Sequence, residues 1–306
     1  MKILIVGLGS IGKKHLSVLK PLAPTAEIFA LRSSNKHAKI NGVQDIYSIE
    51  DLPSTLTFAI ISNPTYLHFE TIKALLPMNI PLLIEKPLAH SVKDAIQIVK
   101  NTPKELISMI SCNLRFHPCI IYLREQIKNM DWIEINSYCG SYLPEWRPDS
   151  DYTQSYSAKR EYGGGVDLDL IHEIDYLYSL LGKPEKITSV KKNISRLNIN
   201  APDYSNYILE YEKGVVSIIL NYYRRTPRRT IEVITKDDVL NIDLLEYSIF
   251  SEVQNKTIFS ERIDRIELLK RQMKYFLTCL KNNEQTINPI SVAHDVLKLC
   301  LENEKA

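Results

Sequence analysis

The opening twelve residues, MKILIVGLGSIG, constrain the chain more than any other stretch. A short apolar run leads straight into Gly7, Gly9 and Gly12, spaced G-x-G-x-x-G, and IGKKHLSVLKPL continues with helical periodicity. Strand, glycine turn and helix in that order form the first βα unit of a doubly wound sheet that binds a dinucleotide. The three glycines do different things. Gly7 makes the tight turn, Gly9 lets the backbone approach a pyrophosphate, and Gly12 lets helix and strand pack closely. The N–H groups that open the helix, at Ser10 and Ile11, then face the anion. The apolar run is short and cut by glycine, with no cleavage pattern, so it reads as a mature first strand of a cytoplasmic protein rather than a signal peptide.

The same alternation continues. EIFAL (27–31), TFAIIS (57–62), PLLIEK (81–86) and LISMISC (106–112) are strand-like, with helical patterns such as YLHFETIKALL and SVKDAIQIVKN between them. Near-continuous apolar strands separated by helices indicate a parallel sheet covered on both faces. Past residue 120 the period changes to two: WIEINSYCGSY, EKITSVKKNIS, YSNYILEYE, GVVSIILNYY, TIEVITKD and VLNIDLLE alternate, with EKG at 212–214 as a hairpin turn. Two helices accompany them, DLIHEIDYLYSLLG, stopped by Gly182 and Pro184, and RIDRIELLKRQMKYFLTCLKNN. The predicted fold is α/β: an N-terminal Rossmann domain over residues 1–120, then a C-terminal α+β domain over 121–306 on a large, mainly antiparallel open sheet. A length of 306 residues suits two cores.

Composition removes several function classes. No stretch approaches the roughly 20 apolar residues that cross a bilayer, and a net charge of +2 gives no reason to expect nucleic acid. The one dense basic run, YYRRTPRRT (222–230), is a solvated strand end or a contact to an anionic substrate. The five cysteines lack any C-x-x-C pair, which argues against a disulfide scaffold and a zinc site, and no metal is expected.

At the end of the second strand an NAD enzyme carries an acid for the ribose hydroxyl. Here ALRSSNKH puts Arg32 and Ser33 in that place, which favours the 2′-phosphate of NADP over NAD; an exposed loop arginine with relaxed selectivity is the alternative. Lys86, in Glu85-Lys86-Pro87, stands at the carboxyl end of a parallel strand, where such sheets bind ligands.

Together, GLGSIG (7–12), SNPTYLH (62–68), EKP (85–87), NLRFHP (113–118) and GGGVDLDLIHEID (163–175) resemble the Gfo/Idh/MocA oxidoreductases, in order across most of the chain. The resemblance implies hydride transfer between a nicotinamide and a hydroxyl or keto carbon of a sugar, sugar acid or polyol, in a homodimer or homotetramer joined through the C-terminal sheet. It implies Lys86 as the group that polarises the reacting oxygen, His172 as acid–base and Asp169 as its partner acid. Ser62, Asn63, Pro64, His68, Glu85 and Lys86 fall in its cofactor motifs, while Asn113 and Arg115 match a segment lining the substrate pocket. This chain spaces acid and histidine D-x-x-H where the family has D-x-x-x-H, so Asp175 is an alternative orienting acid. Trp146, Arg147 and Tyr156, in the loop before the triple glycine, offer rings to stack on a sugar and a cation for a carboxylate or phosphate. Loop and following helix look like a branch associated with bacterial surface sugars, including sialic-acid-like ones. Alternatives to a dehydrogenase are an NAD-assisted glycosidase working through transient oxidation and a non-catalytic dinucleotide sensor.

Overall fold

The computed structural model describes residues 1–36 and 38–302. Its N-terminal part runs β1 (Lys2–Val6), α1 (Ser10–Leu22), β2 (Glu27–Leu31), β3 (Gln44–Ile46), β4 (Phe58–Ile61), α2 (His68–Leu75), β5 (Leu82–Glu85), α3 (Val92–Asn101) and β6 (Ser108–Ser111). The strands form one sheet in the order β3-β2-β1-β4-β5-β6, parallel at every pair. Ile3, Leu4 and Ile5, all of β4, and Leu82, Leu83 and Ile84 are wholly buried, as a sheet covered on both faces requires. The chain winds outward from β1 to β3 and restarts at β4, so the topological switch point lies between β1 and β4.

The following part contains α4 (Pro118–Gln126), β7 (Trp132–Gly140), α5 (Val166–Asp169), α6 (His172–Leu181) and strands β8 (Lys186–Lys192), β9 (Tyr204–Tyr211), β10 (Gly214–Asn221), β11 (Arg228–Thr235), β12 (Val239–Asp243), β13 (Ser248–Ser251) and β14 (Lys256–Ser260). The eight strands lie in the order β14-β13-β12-β11-β7-β10-β9-β8. Among the described residues only β7 and β10 of this sheet pair in parallel; the other pairs are antiparallel, so the predicted mainly antiparallel sheet is present. Tyr211 pairs with Gly214 across the predicted hairpin turn. One face carries buried Tyr207, Leu209, Val216, Ile218 and Leu220, while Ile208 and Val215 on the other face are exposed.

Two helices close the chain, α7 (Arg265–Asn282) and α8 (Ile290–Leu301). The molecule clusters into two compact units, Met1–Asn113 with Asp264–Leu297, and Leu114–Ile263 with the chain from Lys298. The sequence assigns 264–297 to the C-terminal domain, yet this segment packs with the first sheet. The cause is β6, an edge strand whose backbone groups need partners. Thr286 Oγ1 donates to Ser108 O at 2.6 Å, Asn288 Nδ2 donates to Ile110 O at 3.1 Å, and Ile110 N donates to Asn288 O at 2.8 Å. Phe276 of α7 meets Phe58 edge-on, with ring centroids 5.4 Å apart.

Among the described residues no helix is long and apolar enough to cross a membrane, and no group of three or more His, Cys, Asp or Glu side chains is placed to hold a metal ion.

Candidate active site

In the first unit the glycine turn leaves β1 at the switch point. Gly7 has φ +83°, and a Cβ there would lie 2.7 Å from the backbone of Asn63; one on Gly12 would lie 2.2 Å from Gly7 O. Both positions are closed to any side chain. At Gly9 a Cβ would meet nothing within 4 Å, so the middle of the turn borders open space. Helix α1 starts beside it with no side-chain cap and no acid in its first turn, leaving the leading N–H groups, at Ser10 and Ile11, without intrahelical partners. Asn63, just past β4, donates through Nδ2 to Thr71 Oγ1 at 2.8 Å, and its Oδ1 is a buried acceptor with no partner among the described residues. Open backbone, an uncapped helix start and an unmatched acceptor fit a dinucleotide with its pyrophosphate on α1.

Three residues of the predicted cofactor set are bonded within the chain. Ser62 Oγ donates to Gly7 O at 2.7 Å and Val6 O at 3.1 Å, bracing the turn from behind. His68 is 1% exposed. Its Nδ1 lies 3.0 Å from Pro87 O and its Nε2 3.1 Å from Asn63 O, so it ties the loop after β4 to the loop after β5. Burial pulls its pKa below the ordinary imidazole value, against the two carbonyls, which favour the charged form. Arg32, expected on a 2′-phosphate, points its Nη1 at Asp45 Oδ1 and Oδ2, at 3.0 and 3.2 Å, and at Ala38 O at 3.1 Å. Ser33 beside it and Pro64 beyond Asn63 are exposed.

Glu85 ends β5 with Oε1 2.6 Å from Nε2 of the fully buried His15 of α1. Burial alone would raise the carboxyl pKa, but the His15 hydrogen bond and charge, Ser111 and the Lys86 ammonium outweigh it and hold Glu85 below the usual range. Glu85 thus anchors the strand end, and Lys86 follows it half-buried.

In the second unit the triple glycine packs against the chain's own loop. A Cβ on Gly164 would lie 2.2 Å from Tyr156 O, 2.7 Å from Lys159 O and 2.8 Å from Ser157 O, and Gly165 has φ +133°. The predicted single helix is two: α5 ends at Asp169, and α6 begins at His172 after a turn at Leu170 and Ile171. The D-x-x-H pair therefore spans a break, and helical i,i+3 counting does not describe it.

Polar contacts fix these helices to the sheet, the Asp167–Lys191 pair at 3.6 Å among them. Tyr222, wholly buried just past β10, donates to Asp169 Oδ2 at 2.6 Å. Glu173 Oε1 pairs with Arg229 Nε at 2.7 Å; burial nonetheless raises the Glu173 pKa above the carboxylate norm. Tyr176 OH lies 2.9 Å from Ser137 Oγ. The neighbouring Asp169 charge, then burial, push the Tyr156 phenol well up. Trp146 meets Tyr222 edge-on at 5.3 Å and donates to Ser141 Oγ at 2.8 Å, while the Arg147 guanidinium stands 5.8 Å from the Tyr156 ring centre. The structure thus brings Trp146, Arg147 and Tyr156 into one cluster with Asp169. Tyr222, the hub of that cluster, carries no distinguishing mark in the sequence, where it reads as the start of the basic run. In that run Arg225 stacks on Tyr142, 3.6 Å from its ring centre.

Arg115, predicted to line the substrate pocket, is paired within the second unit. It is 2% exposed, and its Nε and Nη2 donate to Asp175 Oδ2 and Oδ1, both at 2.7 Å. Arg115 and Asp175, both expected near substrate or His172, form a buried bidentate pair. Asn113, which ends the first unit's leading segment, is half-buried.

A family model described as an oxidoreductase family with an NAD-binding Rossmann fold matches residues 1–106, and the GFO/IDH/MocA C-terminal domain matches residues 121–240. Inositol 2-dehydrogenase of Pseudarthrobacter chlorophenolicus is 22% identical over 236 residues, which are 72% of this chain and 67% of that protein. The 2,7-anhydro-N-acetylneuraminate hydratase of Escherichia coli is 28% identical over 149 residues, 48% of this chain and 39% of that protein. The chain thus spans about two thirds of the first relative and well under half of the second. Among solved structures, a levoglucosan dehydrogenase in complex with NADH and levoglucosan matches with a TM-score of 0.85 at 14% identity, over 98% of this chain and 95% of that one. At that identity the likeness is one of fold.

Proposed function

The chain belongs to the GFO/IDH/MocA family of NAD-binding oxidoreductases, and from that premise we propose that it transfers hydride between a nicotinamide dinucleotide and a hydroxyl or keto carbon of a sugar, sugar acid or polyol. The observation that carries this reading is the switch-point crevice of the first unit, open over Gly9 and bordered by the unmatched Asn63 Oδ1. The inositol and levoglucosan dehydrogenase relatives support the substrate class.

When bound, the nicotinamide supplies the hydride acceptor or donor. The chain must then supply a cation for charge developing on the substrate oxygen and a group that takes and returns its proton. Lys86 takes the first role, on a strand end stiffened by the Glu85–His15 bond. His172, at the start of α6, takes the second. Asp169 is its partner acid, held by Tyr222 and neighboured by Tyr156. Trp146, Arg147 and Tyr156 meet the substrate from the loop before the triple glycine. The resemblance of NLRFHP to the family's pocket segment adds Asn113 to the substrate-binding set. Exposed Ile208 and Val215 on the open sheet face support a homodimer or homotetramer, and the buried free cysteines support a cytoplasmic setting.

The test is turnover of NAD and NADP with a panel of sugars, sugar acids and polyols, followed by nicotinamide absorbance. Lys86→Ala and His172→Ala should abolish turnover while leaving dinucleotide binding intact; unchanged activity in both overturns the assignment. The hydratase relative favours a second reading, in which transient oxidation drives elimination. That enzyme would transform substrate with no net change in nicotinamide absorbance.

A further inference from the structure

We propose that Asp45 is the residue that sets cofactor choice, and that by occupying Arg32 it makes this chain an NAD enzyme. The inference rests on the dinucleotide reading of the first unit and is independent of which sugar is used.

A doubly wound sheet places the adenosine ribose at the carboxyl end of its second strand. In this chain Arg32 follows β2 directly, and Gly7 N donates to Leu31 O at 3.1 Å, so this end of the strand is joined to the glycine turn. An arginine there is the expected mark of a 2′-phosphate site. The mark is cancelled from the next strand. Strand β3 runs parallel to β2 with Asp45 beside Ala30 and Ile46 beside Leu31, and Arg32 N donates to Ile46 O at 2.9 Å. That register brings the Asp45 carboxylate onto the Arg32 guanidinium, with both oxygens within reach of Nη1. The two side chains are only 6% and 7% exposed, and Ala38 O takes a further bond from the same nitrogen. Arg32 Nε is buried too, so the guanidinium edge is turned into the protein.

This arrangement penalises a 2′-phosphate twice. To grip it, Arg32 must leave Asp45, stranding a carboxylate in a place with little access to water. If Arg32 stays, the phosphate comes up against a pair with no net charge, and the Asp45 carboxylate repels it. A ribose 2′-hydroxyl is uncharged and incurs neither penalty. The acid that NAD enzymes carry at the end of β2 is thus present here, but it comes from β3, beyond the window in which a sequence motif looks for it.

The experiment titrates NADH and NADPH separately against the full chain, following fluorescence energy transfer from protein to reduced nicotinamide. Wild type should bind NADH at least about tenfold more tightly than NADPH, and Asp45→Asn should narrow the ratio by on the order of tenfold, through tighter NADPH binding; one charge-assisted hydrogen bond is of that size. The double variant Arg32→Ala/Asp45→Asn should lose that gain and keep its NADH affinity, which assigns the effect to a freed arginine. NADPH bound by wild type as tightly as NADH, or an unchanged ratio in folded Asp45→Asn, overturns the proposal while leaving the dinucleotide reading intact. Failure of wild type to bind either nucleotide overturns both. The wild-type ratio needs no variant to fold, so the proposal stays open to refutation even if Asp45→Asn is unstable.

Discussion

Arg115→Ala separates a structural arginine from a substrate arginine. Its guanidinium lies 2.7 Å from each oxygen of Asp175, and the two residues are 2% and 1% exposed. Truncation removes the cation from a buried carboxylate, and breaking a buried pair from one side costs about 3–5 kcal/mol. For a unit of this size each kcal/mol lowers the melting temperature by about 2–4 °C, so the variant should melt roughly 6–20 °C below wild type. Arg115→Lys keeps the charge but has no planar fork to serve both oxygens, and should fall between the two. Thermal unfolding by circular dichroism measures the loss, with steady-state kinetics run well below the melting point. If Arg115→Ala melts within about 2 °C of wild type and instead raises KM steeply, the pair is not what holds α6, and Arg115 belongs to the substrate pocket after all.

Two further perturbations test other parts of the structure. Gly9→Val should leave the melting temperature near wild type, because the side of Gly9 where the new side chain would stand is empty; it should weaken NADH binding by at least about tenfold by blocking backbone approach to the pyrophosphate, and a fluorescence titration reads both nucleotide affinity and its loss. Glu85 is held below its ordinary value of 4.5 in the fold, so its contribution to stability is present above that pH and is lost as pH falls through the folded pKa; Glu85→Gln should therefore flatten the acid side of the stability–pH curve measured by urea unfolding, and an unchanged acid limb would refute the His15–Glu85 bond as a source of stability.

The parts of the fold legible in the sequence are those in which local pattern and tertiary role coincide. β1, β4 and β5 carry runs of buried apolar residues because both faces of the first sheet are covered, and Gly7 and Gly12 are dictated by backbone approach that no other residue tolerates. The second sheet's long strands show their period because one face is buried and the other is not. β3, with three residues, is too short for any period to register, and β14 has no buried residue to mark one. The capping of β6 by residues 286–288 is invisible for a different reason: it joins positions 178 apart in sequence.

The same reasoning accounts for which partners of the predicted site residues the sequence hides. Arg32, Arg115 and His68 all stand within ligand-binding motifs, and a charged or titratable group in such a motif reads as facing the ligand. What decides the matter is the counter-group, which for Arg32 is 13 residues away, for Arg115 60 residues away, and for His68 two backbone carbonyls that no residue type reveals. A motif fixes where a side chain begins, whereas burial and partner fix where its charge is used. Asp169 and Asp175 illustrate the difference. The sequence offers both at the same distance from His172, but helical spacing cannot rank them because the helix is broken between Asp169 and His172. Their partners differ: Asp175 has both oxygens on a buried arginine, whereas Asp169 accepts from the hydroxyl of Tyr222, whose ring meets Trp146 of the loop proposed to meet the substrate. On the proposed reading, a substrate that displaces Trp146 or Tyr156 would disturb the surroundings of Asp169 through the Tyr222 ring or the Tyr156 phenol.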